Sequence, residues 1–73
     1  MSDTERLKAR YDAFSDAWKL YKKYFGTKNH EQDKWDSLIR DAVEYQNKYD
    51  CLLARTFAMG VIEQLEEDAK EGN

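Results

Sequence analysis

Proline is absent from this chain, and glycine occurs only three times. With so few backbone breakers, long helices have little to interrupt them. Cys51 is the only cysteine, which excludes a disulfide within one chain. A lone thiol fits a reducing compartment, so a cytoplasmic location is expected. His30 is the only histidine, and no metal or cofactor site is expected around it. No apolar run approaches the roughly 20 residues that a membrane span needs. The start Met1-Ser2-Asp3-Thr4-Glu5 lacks the basic and apolar segments of a signal peptide.

What remains is a helix-former's composition, rich in Ala, Leu, Glu, Lys, Arg and Gln. Seventy-three residues make one domain, whose own core is modest. Small chains gain support from disulfides, metals or oligomerisation, and here only the last stays open. Charged residues make up 37% of the chain and the net charge is −3, which favours solubility and disfavours general nucleic-acid binding.

Start and stop signals are few. Ser2 with Glu5 has the spacing of a capping box. Gly26 suits the left-handed position past a helix end, and Asn29 with Gln32 suits the start of the next helix. Helix 1 is predicted from about Asp3 to Phe25. Its large apolar residues Leu7, Tyr11, Phe14, Trp18, Tyr21 and Phe25 recur at alternating spacings of four and three, a seam that Ala17 and Tyr24 widen and that asks for a partner helix.

From His30 to about Lys70 no strong stop appears, and Tyr49-Asp50-Cys51 offers weak turn chemistry. The favoured reading is an all-α hairpin of a short helix 1 and one long helix 2, assembling as a dimeric helical bundle. The alternative is a monomeric three-helix bundle with a break near Lys48 to Cys51. Within the long segment, Trp35, Leu38, Ile39, Ala42, Val43, Tyr45 and Tyr49 form an amphipathic face. Cys51 to Ile62 is instead apolar on every side of a helical wheel, with Arg55 its sole charge.

Length gives that stretch its meaning. At about 1.5 Å per residue, helix 1 spans roughly 35 Å and an unbroken helix 2 roughly 60 Å, so the chain from Cys51 onward would overhang. Two overhangs packed together would cover the apolar segment in a twofold homodimer. The expected self-association residues are Leu52, Leu53, Arg55, Thr56, Phe57, Met59, Gly60, Val61, Ile62 and Leu65. Gly60 allows close helix approach or marks a bent end.

Other features are weaker. Lys19, Lys22, Lys23 and Lys28 interleave with aromatics, as a nucleic-acid or phosphate patch does. Lysines near a helix C-terminus also meet the macrodipole favourably, which is the simpler explanation. The acidic end Glu63 to Glu71 reads as a solvated helix end, or as an acidic inhibitor's docking segment. Asp33, Asp36, Asp41 and Glu44 lack the histidine spacing of a bundle metal site. Cys51 has no neighbouring cation that would activate it and reads as a small buried residue. No nucleophile has a base beside it in sequence. The function expected is therefore that of a small interaction or regulatory module, with no catalysis, no small-molecule substrate, no membrane and an unidentified protein partner.

Overall fold

The computed structural model describes residues 2–71. These form three helices, α1 (Asp3–Tyr24), α2 (Gln32–Tyr49) and α3 (Leu52–Lys70). All three pack against one another in an elongated bundle of 45 × 19 × 16 Å. The single long second helix predicted from the sequence is not present.

Each boundary has a local cause. At the start of α1, the Ser2 hydroxyl oxygen accepts from the Glu5 amide at 3.2 Å. The same hydroxyl donates to the Glu5 carboxylate at 3.0 Å. These contacts satisfy amides that a helix start leaves bare. Gly26 takes a φ of +88°, as a residue just past a helix end requires. Thr27 is buried beneath that turn and donates its hydroxyl to the Tyr24 carbonyl at 2.7 Å. Asn29 does not cap α2. That helix starts at Gln32, and the Glu31 carboxylate reaches back to the Lys28 amide at 2.8 Å.

The break in the second half sits at two residues. Asp50 adopts the left-handed conformation with φ 34° and ψ 57°, and Cys51 is extended. Aspartate tolerates this region better than most residues, though at some cost. The Asp50 amide still closes the end of α2 on the Gln46 carbonyl at 2.8 Å. The Cys51 sulfur then accepts from the Ala54 amide at 3.4 Å and opens α3. Cys51 is thus a half-buried helix cap, where the sequence suggested a core residue. The physical reason for the break is burial. Folding back at Asp50 places Ala54, Ala58, Leu65 and Ala69 in the core, where a straight helix would leave them overhanging.

If the left-handed turn is what sets the break, Asp50→Val should cost about 1–2 kcal/mol, since a β-branched residue resists that conformation. Asp50→Gly should match or exceed the parent. Urea unfolding of both variants checks this, and equal midpoints would remove the turn from the account.

Contacts fix the direction of each helix. Tyr24 of α1 donates to the Asp41 carboxylate of α2 at 2.6 Å, and Tyr49 of α2 donates to Asp16 of α1. Those two helices are therefore antiparallel. Phe14 meets Phe57 edge-on at 5.7 Å, and Tyr21 donates to Asp68. Helix α3 therefore runs parallel to α1. Between them lies a core of mostly small residues: Ala13, Ala17, Ala42, Ala54 and Ala58, joined by Leu20, Leu38 and Leu65. Ile39 and Val43, expected on the inner face of α2, are about half exposed.

Candidate interaction surface

Alanines in the core imply large residues elsewhere, and on α1 the two sets are one residue apart. Ala13, Ala17, Leu20 and Tyr24 are buried. Each is followed at once by a member of the expected seam: Phe14, Trp18, Tyr21 and Phe25. One residue along a helix is a rotation of about 100°. The seam therefore points away from the core. Leu7 and Tyr11 are 71% and 70% exposed, Phe14 and Trp18 each 55%, and Phe25 61%. Helix α3 meets only one edge of the seam, through Phe14 with Phe57 and Tyr21 with Asp68, and leaves the rest uncovered.

Helix α3 lies along one edge of this stripe. Phe14, Trp18 and Tyr21 face Thr56, Phe57 and Gly60 across an open groove of about 600 Å³. Buried Ala17 and half-buried Val61 form its floor. One wall is a ridge of rings and the other is low. Gly60 makes it low, and a Cβ added there would meet nothing within 4 Å. A helical glycine costs about 1 kcal/mol relative to alanine. No neighbour inside the bundle requires that cost.

The groove is held in shape by a fixed tyrosine. Tyr21 stacks on Trp18 at 5.7 Å and donates its hydroxyl to Asp68. That donation, with the Gln64 amide, holds the Asp68 carboxyl below its usual range. The same bond raises the Tyr21 hydroxyl above its own. Tyr24, Tyr45 and Tyr49 make comparable cross-helix bonds to Asp41, the Ala13 carbonyl and Asp16. Tyr11 belongs to the stripe and takes no part in that network.

Of the residues expected to mediate self-association, the structure gathers only some. Thr56, Phe57 and Gly60 border the α1 side of α3, with Val61 beneath them, and Leu53 is exposed one turn before Phe57. Leu52, Arg55 and Met59 are exposed elsewhere on the helix. Arg55 lies 3.9 Å from Asp50 across the break. Ile62 is half-buried on the α2 side, near Trp35 and Ile39. Leu65 is core. The α1 half of the surface is the part that sequence reasoning assigned to internal packing. Its signal was the seam itself.

The lysine patch is dispersed. Lys19 pairs with Asp16 at 3.8 Å, and Lys23 pairs with Asp41 at 2.7 Å. Lys22 sits over the Trp18 ring at 5.8 Å, beside the aromatic stripe. Lys28 is exposed in the loop after α1. Among the described residues no three His, Cys, Asp or Glu side chains gather into a possible metal site. No helix among them is long and apolar enough to cross a membrane. Comparison with protein-family models, curated protein sequences and solved structures finds no match for this chain, so the functional reading rests on this surface.

Proposed function

We propose that this protein is a non-catalytic interaction module that works by docking a helix of another protein molecule along the face shared by α1 and α3. One observation carries the reading. Leu7, Tyr11, Phe14 and Trp18 of α1, with Phe25 at its C-cap, lie largely outside, while Ala13, Ala17, Leu20 and Tyr24 fill the inside. Folding alone gives no reason for that arrangement, since exposed rings add little to the monomer's stability. A docking face does give one, because aromatic residues dominate the energetics of protein interfaces.

The shape suits a helix. The stripe from Leu7 to Phe25 is about 27 Å long at 1.5 Å per residue, and its spacing is that of a helix-packing seam. A groove lined by apolar walls beside a ridge is the usual seat of an amphipathic helix. At roughly 200 Å² per ring, the exposed parts of Tyr11, Phe14, Trp18 and Phe25 leave about 500 Å² of aromatic surface open. That lies near the upper end of the largest apolar patch on a typical monomer, about 300–600 Å².

The test compares the wild type with a Tyr11→Ser, Trp18→Ser double variant at matched helix content. The wild type is expected either to self-associate or to bind a hydrophobic dye, and the variant to do neither. A wild type that does neither, or a variant that keeps the behaviour, overturns the reading.

A further inference from the structure

The docking face carries a ridge and a groove side by side, and this makes it complementary to itself. The ridge is α1, with Leu7, Tyr11, Phe14 and Trp18 standing out from the bundle. The trough is the low wall of α3 beside it, around Thr56 and Gly60. Because α1 and α3 are parallel, a twofold axis along the helices lays the ridge of each copy over the trough of the other. Resting on the interaction reading above, we infer that the occupant of this face is a second copy of the chain, docked in that parallel twofold arrangement.

Charge favours the parallel arrangement. Lys22 flanks the stripe on the side away from α3, one turn past Trp18. The register set by Phe14 with Phe57 and Tyr21 with Asp68 places Lys22 at the level of Leu65 to Ala69. Glu63 and Glu67 are exposed on the outer side of α3 at about that level. In the parallel dimer, Lys22 of one copy therefore meets Glu63 and Glu67 of the second, twice over. The antiparallel alternative stacks α1 on α1. It sets Lys22 against the amino-terminal half of α1, where Arg6 and Lys8 are already paired with Asp3 and Asp12 and the charges of Asp3, Glu5, Arg6, Lys8, Arg10 and Asp12 cancel. That pairing gives Lys22 no net opposite charge, whereas the parallel one offers it Glu63 and Glu67.

Area and the bare glycine agree with this occupant. The open ring surface of about 500 Å², with the neighbouring parts of Leu7 and Leu53, approaches the roughly 800 Å² per side of a standard interface. Gly60 is uncrowded within its own chain, yet it is the point where a second copy's ridge must come closest. A twofold contact also uses both ridges and both troughs at once, as an isologous interface does.

The experiment is sedimentation equilibrium of the full chain from about 1 to 500 µM, joined to carbodiimide crosslinking of a mixture of ¹⁴N and ¹⁵N copies. A dimer is expected, with Lys22 joined to Glu63 or Glu67 between differently labelled copies. Tyr11→Ser with Trp18→Ser should raise the dissociation constant about 30-fold or more. Gly60→Leu should raise it about tenfold while raising the melting temperature of the dilute monomer, a divergence that a purely structural glycine would not produce. Lys22→Glu should weaken association a few-fold, and Glu63→Lys with Glu67→Lys in the same chain should restore it. A dimer whose crosslinks join Lys22 to Asp3 or Glu5 overturns the arrangement. A monomer at 500 µM overturns the second copy as occupant. If that monomer binds a hydrophobic dye through Trp18, the docking face stands and awaits a different helix; if it binds none, the interaction reading falls as well.

Discussion

Ala13→Leu is expected to destabilise the bundle by about 2–3 kcal/mol or more, while Tyr11→Glu, two positions away, changes it by no more than about 0.5 kcal/mol. The first inserts an isobutyl group where a methyl is fully enclosed. Interiors are packed to crystal-like density, so the added carbons must push helices apart. Displacement there has a second consequence. The Ala13 carbonyl receives the Tyr45 hydroxyl at 2.6 Å, and moving α1 outward stretches that bond. The second change puts a charge in place of a ring that is 70% exposed and has no part in the tyrosine network. A chain of this length has a total stability of roughly 4–10 kcal/mol, so the alanine substitution alone removes a large part of it. Urea unfolding at the lowest usable chain concentration measures the monomer in both cases. A larger loss for Tyr11→Glu than for Ala13→Leu would mean that the seam, and not the alanine stripe, faces the core.

That contrast is also where the sequence misled. Spacings of four and three are present in both stripes of α1, and they differ only by one residue and by size. A pattern search that weights large apolar residues selects Phe14, Trp18 and Phe25 as the inner face. Three helices of similar length pack closely only if small residues meet at their contacts, and Ala13, Ala17, Ala54 and Ala58 do so. The helical class, the cap at Ser2 and the positive φ of Gly26 were legible, because each depends on local chemistry. The break at Asp50 is legible only as the alternative reading, a turn near Lys48 to Cys51, because its chemistry is weak. Its turn uses one aspartate in a costly conformation and one cysteine as a cap, and neither announces itself. What drives it is tertiary: the all-round apolar character of Cys51 to Ile62 is answered partly by α1 and α2 of the same chain.

The candidate surface was legible by half. The stretch from Cys51 to Ile62 stands out because too many of its sides are apolar, and part of it, Thr56 to Val61, does line the groove. Leu65 was included because size and polarity do not reveal which side of a helix meets its neighbours. The α1 half reads in the sequence as a seam in want of a partner within the chain, whereas the structure leaves most of it outside. Both halves were flagged by the same physical signal, an apolar surface larger than one neighbour can cover.

Raising the pH above 10 is expected to unfold the protein, and one tyrosine sets the largest single contribution. Burial pushes the Tyr45 hydroxyl up from 10 to about 12, with the neighbouring Tyr49, Cys51 and Asp16 adding to it. A group whose folded pKa is raised holds its proton more tightly in the native state. Its contribution is fully present below pH 10 and is lost as the pH rises through 12. The interval from 10 to about 12 corresponds to about 3 kcal/mol. Tyr24 and Tyr49 are raised by burial first and by their aspartates second, and Tyr21 chiefly by its bond to Asp68. Lys23 and Lys48 are raised by their carboxylate partners, so they lose stability in the same direction. Tyr45→Phe separates the parts. At neutral pH it gives up one buried hydrogen bond, worth about 1 kcal/mol, and should be the less stable protein. Between pH 10 and 12 it has no phenol to ionise at that position, and the order should reverse. Denaturant unfolding followed by circular dichroism at pH 7 and pH 12 checks the crossing. Two curves that fall in parallel would show that the buried hydroxyl of Tyr45 does not govern the alkaline limb, and that the part-buried tyrosine–aspartate bonds carry it instead.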